Sequence, residues 1–477
     1  MEKTNKVKFI LLLLSISLIN SIWIILYRFY PLQLSGHDIE WLWPFAQSWH
    51  WFEKPCTQLF FHCLIPFFKL NPLPYYMSGF ILHMLIAILI FLLLKQISKN
   101  NSIAFIASII FSIHYINTGV NLNIDHIAEK LSLIFFLMSF LSLIKFLNSN
   151  SIKSYIFSLS FFIVGLFCKE SIYCFPFVSL SYIWIYHKKK NLTKYSYPFF
   201  LIIFIHLMII LTVFPNTGGY AEDIKATLQN VKGLAIKFLI LVQMLFIPFD
   251  FQNNTLDFGF IYYHSLKLSL AVLILFLCMF ILIHNKHYRF TFAWIFFTAL
   301  PFLFARPDVI LEKYLYFPLL PGSFLVSLII HNKLLKPSQF KSLIFILICS
   351  LLCYSSYTRY IARYEVTKLV HRILVKEKKI LSSYPKKLTL HYINFPTHIN
   401  RIEAFTPQGS RSLDYWFLKD KDYEESNASL ETLESYYEIL NYCKNSTFPS
   451  HKKEVFLLYQ SGQIIDITQL ICKKRLE

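Results

Sequence analysis

Asp38, Glu40 and Glu53 stand in the stretch LSGHDIEWLWPFAQSWHWFEKP, residues 34–55, beside His37 and His50 and among Trp41, Trp43, Trp49 and Trp51. Long apolar runs flank that stretch, in a chain whose charged residues make up only 15% of the total. A carboxylate kept at the edge of a bilayer, facing protein rather than water, is costly and points to function. Trp favours the headgroup depth, where a base can meet both an amphipathic lipid and a polar acceptor. Asp38 and Glu40 therefore read as candidate general bases. Two other readings stay open: a loop carboxylate that is merely solvated, and a metal ligand acting with His37. The spacing of His37, Asp38 and Glu40 matches no metal-ligand signature, so no metal and no cofactor are expected.

A second set of residues is cationic. NIDHIAEK at 123–130, CKES at 168–171 and ARPDVILEKYLYFP at 305–318 supply Lys130, Lys169, Arg306 and Lys313. In the orientation that the charged loops favour, all of them fall on the outer side, which should be poor in Lys and Arg. Cations kept there against that bias suit an anionic ligand, and a lipid-linked phosphate is the natural one. The competing reading pairs each Lys with its sequence neighbour, Glu129, Glu170 or Glu312.

The elements that must position these residues are membrane spans. Hydrophobic residues make up 56% of the 477, Phe alone numbers 49, and the mean hydropathy is +0.49. A soluble domain carries roughly a quarter charged residues. Runs of about 20 apolar residues, enough to cross hydrocarbon as helix, are expected at 9–27, 76–94, 103–119, 128–147, 154–168, 171–187, 197–214, 264–283, 290–305, 314–330 and 341–357. The first has no small-residue cleavage site and reads as a span rather than a signal peptide.

With these spans, the cationic loops all fall on one side. They are Lys3, Lys6 and Lys8; Lys95 and Lys99; Lys145 and Lys153; HKKKNLTK; HNKHYR; and HNKLLKPSQFK. That side is cytoplasmic by the positive-inside rule. The alternation requires GLAIKFLILVQMLFIPF, residues 233–249, to be interfacial or re-entrant on the outer side. The formal charge of +19 is then a topological bias, and nucleic acid is not an expected partner.

The sequence thus predicts an all-α polytopic membrane protein of about eleven spans over residues 1–357, with outer loops at 28–75 and 215–262. Residues 358–477 are more polar and alternate helical with strand-like patterns (RYIARYEVTKLVHRIL, KLTLHYINFP, EVFLLYQSGQIIDIT). They read as a small α+β domain on the outer face. Cys56 with Cys63, and Cys443 with Cys472, share outer segments. Each pair is readable as a disulfide in an oxidising compartment or as free thiols.

The stretch KPCTQLFFHCLIPFFKLNPLPYYMSGFILHMLIAILIFLLLK resembles the hallmark region of GT-C polytopic glycosyltransferases. It is most similar to bacterial relatives of the protein O-mannosyltransferases and of the tetratricopeptide-repeat transmembrane O-mannosyltransferases, although no such repeats follow the last span. Lys54-Pro55, Leu70-Asn71-Pro72, Tyr75 or Tyr76, and Leu82-His83 stand at the family's Arg-Pro, Leu-Asn-Pro, Tyr and Leu-Leu-His. GLFCKESIYCFP places Lys169 and Glu170 on its Lys-Glu pair. EKYLYFPLLPG matches through Glu312, Tyr314, Tyr316 and Pro318, with Lys313 replacing Arg. The likeness runs over roughly residues 10–357, and LTLHYINFP resembles a strand common in bacterial members. The chain departs from the pattern where His114 is followed by Tyr115, where Gly119 stands near a Glu position, and where Glu129 alone resembles the Asp of Arg-x-Asp.

The resemblance implies a catalytic acid in the first outer loop at Asp38, with Glu40 the fallback. It also implies donor-phosphate contacts from Lys169, Lys313, Arg306 and Lys130. Lys54, His83, Glu129, Glu170, Glu312 and Tyr316 would support the site. The expected reaction moves a sugar from a polyprenyl-phosphate donor to a hydroxyl of a protein or glycan acceptor, with inversion. It would take place at the outer face of what the resemblance implies is a bacterial inner membrane. With only 11 Gly and no glycine-rich phosphate loop, a lipid-linked donor fits better than a nucleotide. A transporter or flippase for a lipid-linked substrate is the alternative and would show inverted repeats and mid-span charges. A non-catalytic membrane scaffold presenting the tail is the third reading.

Overall fold

The computed structural model describes residues 2–28, 54–68, 71–187, 190–213, 231–246, 273, 285–303, 312–331, 338–381, 389–393, 398–399, 402–403, 428–431, 454–460 and 463–467. Asp38, Glu40, Arg306, Cys443, Cys472 and, apart from residue 273, the expected span at 264–283 lie outside the described residues. The chain divides into two units, Met1–Arg28 with Gln47–Arg359, and Phe29–Ala46 with Tyr360–Glu477.

The first unit is helical. Its helices are α1 (Glu2–Arg28), α2 (Pro55–Phe68), α3 (Pro72–Ser98), α4 (Asn101–Ile113), α5 (Ile116–Asn121), α6 (Ile127–Ser149), α7 (Ile152–Leu166), α8 (Phe175–His187), α9 (Tyr197–Val213), α10 (Val231–Phe246), α11 (Lys286–Leu303) and α12 (Tyr316–His331). It also holds the first part of α13 (Ser338–Leu381). Short 3-10 turns precede α8, α9 and α12 at Glu170–Cys174, Lys190–Ser196 and Glu312–Leu315. Among the described residues, five helical stretches are long and apolar enough to cross a membrane: Pro72–Ser98, Ile127–Ser149, Leu192–Ile210, Lys313–His331 and Gln339–Glu377.

Local chemistry sets the turns. Asn71 caps α3 by accepting from the Leu73 N–H, with Pro72 at the first helical position, where its missing N–H costs nothing. Lys99 ends α3 in the left-handed region, and Asn100 at once caps α4 through the Ser102 and Ile103 N–H groups. Asn150 ends α6 in the same left-handed way before α7. Such short connections make neighbours antiparallel. Where α6 packs on α7, Ser139 and Ser158 each donate to the other's carbonyl at 2.8 Å, a polar clasp between closely approaching helices.

Several expected boundaries shift. The span expected at 103–119 breaks at His114, whose backbone is extended. The Asn117 amide turns back to donate to the Phe111 and Ser112 carbonyls, so a side chain takes over the bonds that continuing the helix would have supplied. The outer loop expected at 28–75 contains α2 and the start of α3. Cys56 and Cys63 lie seven residues apart on α2, about 10 Å along its axis, which no disulfide bridges. The segment read as interfacial forms α10, which packs on α11 and α12.

In the second unit, β1 (Thr389–Ile393) pairs in parallel with β4 (Ala428–Glu431) and β5 (Glu454–Gln460), and β5 turns antiparallel into β6 (Gln463–Asp466). A separate short ladder joins β2 (His398–Ile399) and β3 (Ile402–Glu403).

Candidate functional site

The site starts with the turn that carries Lys169. Gly165 ends α7 against a crowded wall: a Cβ there would stand 2.4 Å from Ile172 Cδ1 and 3.1 Å from Phe135 Cβ. The chain then doubles back, with the Lys169 N–H donating to the Gly165 carbonyl at 3.1 Å. Three neighbours pin the carbonyls of this turn. The Cys56 N–H donates to Phe167, the Thr57 hydroxyl to Cys168 and the Ser132 hydroxyl to Lys169. Thus α2 and α6 hold the backbone from which Lys169 projects.

The Lys169 ammonium lies 3.1 Å from Glu170 and 3.8 Å from Glu129. Burial pushes the Glu170 carboxyl up, but the charges of Lys169 and Lys54 outweigh it and hold that carboxyl at about 2. Glu170 is therefore ionised at any physiological pH, and Lys54 belongs to the same electrostatic group.

The first turn of α6 supplies Glu129 and Lys130, both buried. Lys130 is 1% exposed and makes no ion pair within 4 Å among the described residues. Its ammonium reaches across to α3 at Gly79, where a Cβ would approach it to 3.0 Å. Just before α6, Asp125 lies 3.3 Å from His126 Nε2 and pairs with Lys313 at 4.0 Å. Burial lowers the His126 pKa and Lys313 lowers it further, against the opposing pull of Asp125 and Glu129. His126 Nδ1 meets the Gly119 carbonyl at 3.1 Å. A carbonyl only accepts, so that nitrogen carries the proton.

Two expected support residues meet directly although far apart in sequence. His83 Nδ1 lies 2.9 Å from the Tyr316 hydroxyl, and His83 Nε2 lies 3.2 Å from the Ser112 carbonyl. Nε2 therefore carries the proton, and Nδ1 accepts from the Tyr316 O–H. The Ser112 carbonyl also accepts from the Trp23 indole and the Asn117 amide. Phe111 stacks on the His83 ring at 5.6 Å. This hub ties α1, α3, α4 and α12 together. Lys130 acts electrostatically on His83 and Glu129 on Tyr316, so the hub borders the charged cluster.

The structure thus gathers Lys54, Lys130, Lys169, Lys313, Glu129 and Glu170, with His83 and Tyr316 beside them. Pairing between sequence neighbours accounts for one cation in part, since Lys169 reaches Glu170 but also Glu129, and Lys313 reaches Asp125. Of Glu312 only the backbone is described.

Asp125 and His126 are not among the residues singled out from the sequence, although an acid at a membrane edge is as costly at position 125 as at 38. The polar residues of α5 are not among them either. Asn117, Thr118 and Asn121 are buried there, and Asn117 Oδ1, Thr118 Oγ1 and both polar atoms of the Asn121 amide have no hydrogen-bond partner.

Residues 55–215 match the family model described as dolichyl-phosphate-mannose-protein mannosyltransferase. No curated protein matches the chain. The matched stretch carries α2 to α9 and with them His83, Glu129, Lys130, Lys169 and Glu170. Lys313 and Tyr316 lie beyond it in sequence and join it through the contacts above. Together, the spanning helices and the match describe a multi-pass integral membrane protein.

Proposed function

We propose that this chain is a membrane glycosyltransferase that takes a sugar from a polyprenyl-phosphate donor and places it on a hydroxyl of a protein or glycan acceptor. The observation that carries the reading is the cationic cluster around the buried Lys130: Lys130 and Lys169 lie in the stretch that matches the mannosyltransferase family model, and Lys54 and Lys313 join them from outside it. Lys54, Lys130, Lys169 and Lys313 face Asp125, Glu129 and Glu170, with His126 held toward its neutral form. Among the described residues the cluster holds one more lysine than carboxylate, which suits a bound anion. A buried ammonium without a close counter-ion is costly: it gives up its proton unless an anion compensates it, and a bound phosphate would do so.

In this mechanism Asp38 accepts the proton of the acceptor hydroxyl, with Glu40 as the alternative base. The freed oxygen attacks the anomeric carbon, and the bond from that carbon to the phosphate oxygen breaks as the new glycosidic bond forms. The lipid phosphate leaves with the bonding electron pair, and the configuration inverts. Lys130, Lys169 and Lys313, with Arg306, stabilise the charge that develops on the departing phosphate. The step requires no metal. It takes place at the outer face of the membrane, which is the periplasmic face if the cell is a bacterium.

The test is transfer by the purified protein from a panel of polyprenyl-phosphate sugars. Asp38→Asn should lower transfer by about 10²–10⁴ while donor binding persists, and Glu40→Gln should cost less. No transfer from any donor, or wild-type rates in both variants, would overturn the reading.

A further inference from the structure

The orphaned polar face of α5 is unused by the mechanism above. Asn117, Thr118 and Asn121 are each at most 1% exposed, yet four of their side-chain polar atoms lack partners. A buried donor or acceptor left unpaired is destabilising, and native structures hold few of them. Asn121 is the only buried amide among the described residues with neither its oxygen nor its nitrogen satisfied. Asn121 stands four residues after Asn117 and three after Thr118, so it neighbours both on the helix surface.

That helix is joined to the charged cluster by direct contacts. The Gly119 carbonyl meets His126 Nδ1 at 3.1 Å, His126 Nε2 lies 3.3 Å from Asp125, and Asp125 pairs with Lys313. The Tyr76 hydroxyl on α3 donates to the Leu122 carbonyl at the helix end. The 3-10 turn Glu312–Leu315 packs against the same helix. The phosphate reading rests on lysines, whereas this face offers uncharged groups that both donate and accept. Neutral donors mixed with acceptors suit vicinal hydroxyls, each of which gives one hydrogen bond and takes others.

We infer that Asn121 and Thr118, with the Asn117 carbonyl oxygen, form the subsite that reads the hydroxyls of the donor's sugar ring, next to the lysines that meet its phosphate. The inference rests on the function proposed above and assigns its specificity.

The experiment measures binding of two lipids, polyprenyl-phosphate mannose and bare polyprenyl phosphate, to the full chain in detergent. Wild type is compared with Asn121→Leu and Thr118→Val, which keep the side-chain shapes and remove the polar atoms. The expected result is an affinity for the mannosyl lipid lowered about two- to tenfold in each variant, the worth of a hydrogen bond or two. Affinity for the bare phosphate should be unchanged. The ligand-free melting temperature should not fall, because a group without a partner is being removed.

Unchanged affinity for both lipids would mean that the face holds only water or packs imperfectly, and would overturn the subsite while the proposed function stands. Equal weakening of both lipids would also overturn it, since the sugar would not be what is read. If wild type binds neither lipid, the proposed function falls and the subsite with it.

Discussion

Along α6, Glu129 and Lys130 in the first turn meet charges and polar groups from several other elements. Phe136 and Phe140, about two and three turns further on, meet rings. Phe136 packs edge-on to Phe175 at 5.3 Å and to Phe317 at 5.7 Å, and Phe140 does the same to Tyr182 at 5.3 Å and to Trp294 at 5.6 Å. Both regions are buried, but their hydrogen bonding differs. The ring cluster leaves one polar atom without a partner, the Trp294 indole nitrogen, while α5 beside the charged turn leaves four. Edge-to-face ring contacts satisfy themselves without water or ligand. An unpaired ammonium and orphaned amides do not. The aromatic part of the helix is therefore where stability resides; under the function proposed above, its polar end gives up stability for binding.

The largest effect should come from the aromatic side. Phe140→Ala removes a fully buried ring and should cost about 3–5 kcal/mol, read as a lowered unfolding temperature in detergent. A loss of transfer no greater than the loss of folded protein would keep the two regions distinct. The polar end should behave in the opposite sense. Lys130→Met deletes a buried charge from a site shaped around its ammonium, so the ligand-free protein should melt no lower than wild type. Donor affinity should fall by about ten- to a hundredfold, the worth of a hydrogen bond to a charged group. A clear drop in stability with donor affinity intact would make Lys130 a packing residue and erase the contrast.

Tyr316→Phe probes the boundary between the two regions. It strands His83 Nδ1 without its donor and should cost about 1–3 kcal/mol of stability, with donor affinity moving less than in Lys130→Met. The smallest effect is one of pH. The Glu170 carboxyl is held at about 2, below its ordinary 4.5, so the stability it contributes is fully present above about pH 4.5. That contribution drains away as pH falls toward about 2. Glu170→Gln should therefore be slightly less stable than wild type at neutral pH, and the two stability curves should converge across that acid window. The Glu170 side chain is 35% exposed, so solvent and salt will damp the difference.

Much of this was readable one segment at a time. The composition and the length of the apolar runs announced spanning helices, and Asn71-Pro72 and Asn100 are helix-start signals in the string itself. The cations Lys130, Lys169 and Lys313 stood out because the orientation expected from the charged loops places them on the cation-poor side. The break at His114 was not legible, because it depends on Asn117 reaching back to the carbonyls of the preceding helix, and the residues between are as apolar as a continuing span. The α5 face was missed for the same reason. In the string it is only a few polar residues at the end of a hydrophobic run, and the orphaned state of Asn121 exists only once its surroundings are packed.

By itself, the sequence determined that this chain lives in a membrane as helices, because the bilayer requires each span to satisfy its backbone internally and to be apolar along its length. That same requirement erases the pattern that tells partners apart. A helix bathed in lipid on one side and packed in protein on the other is apolar all round, so periodicity does not say which face meets which neighbour. The pairing of His83 with Tyr316, of Lys313 with Asp125 and of Lys169 with Glu129 was therefore decided only by the tertiary structure. These bonds join residues tens to hundreds of positions apart, and they depend on how helices turn about their own axes.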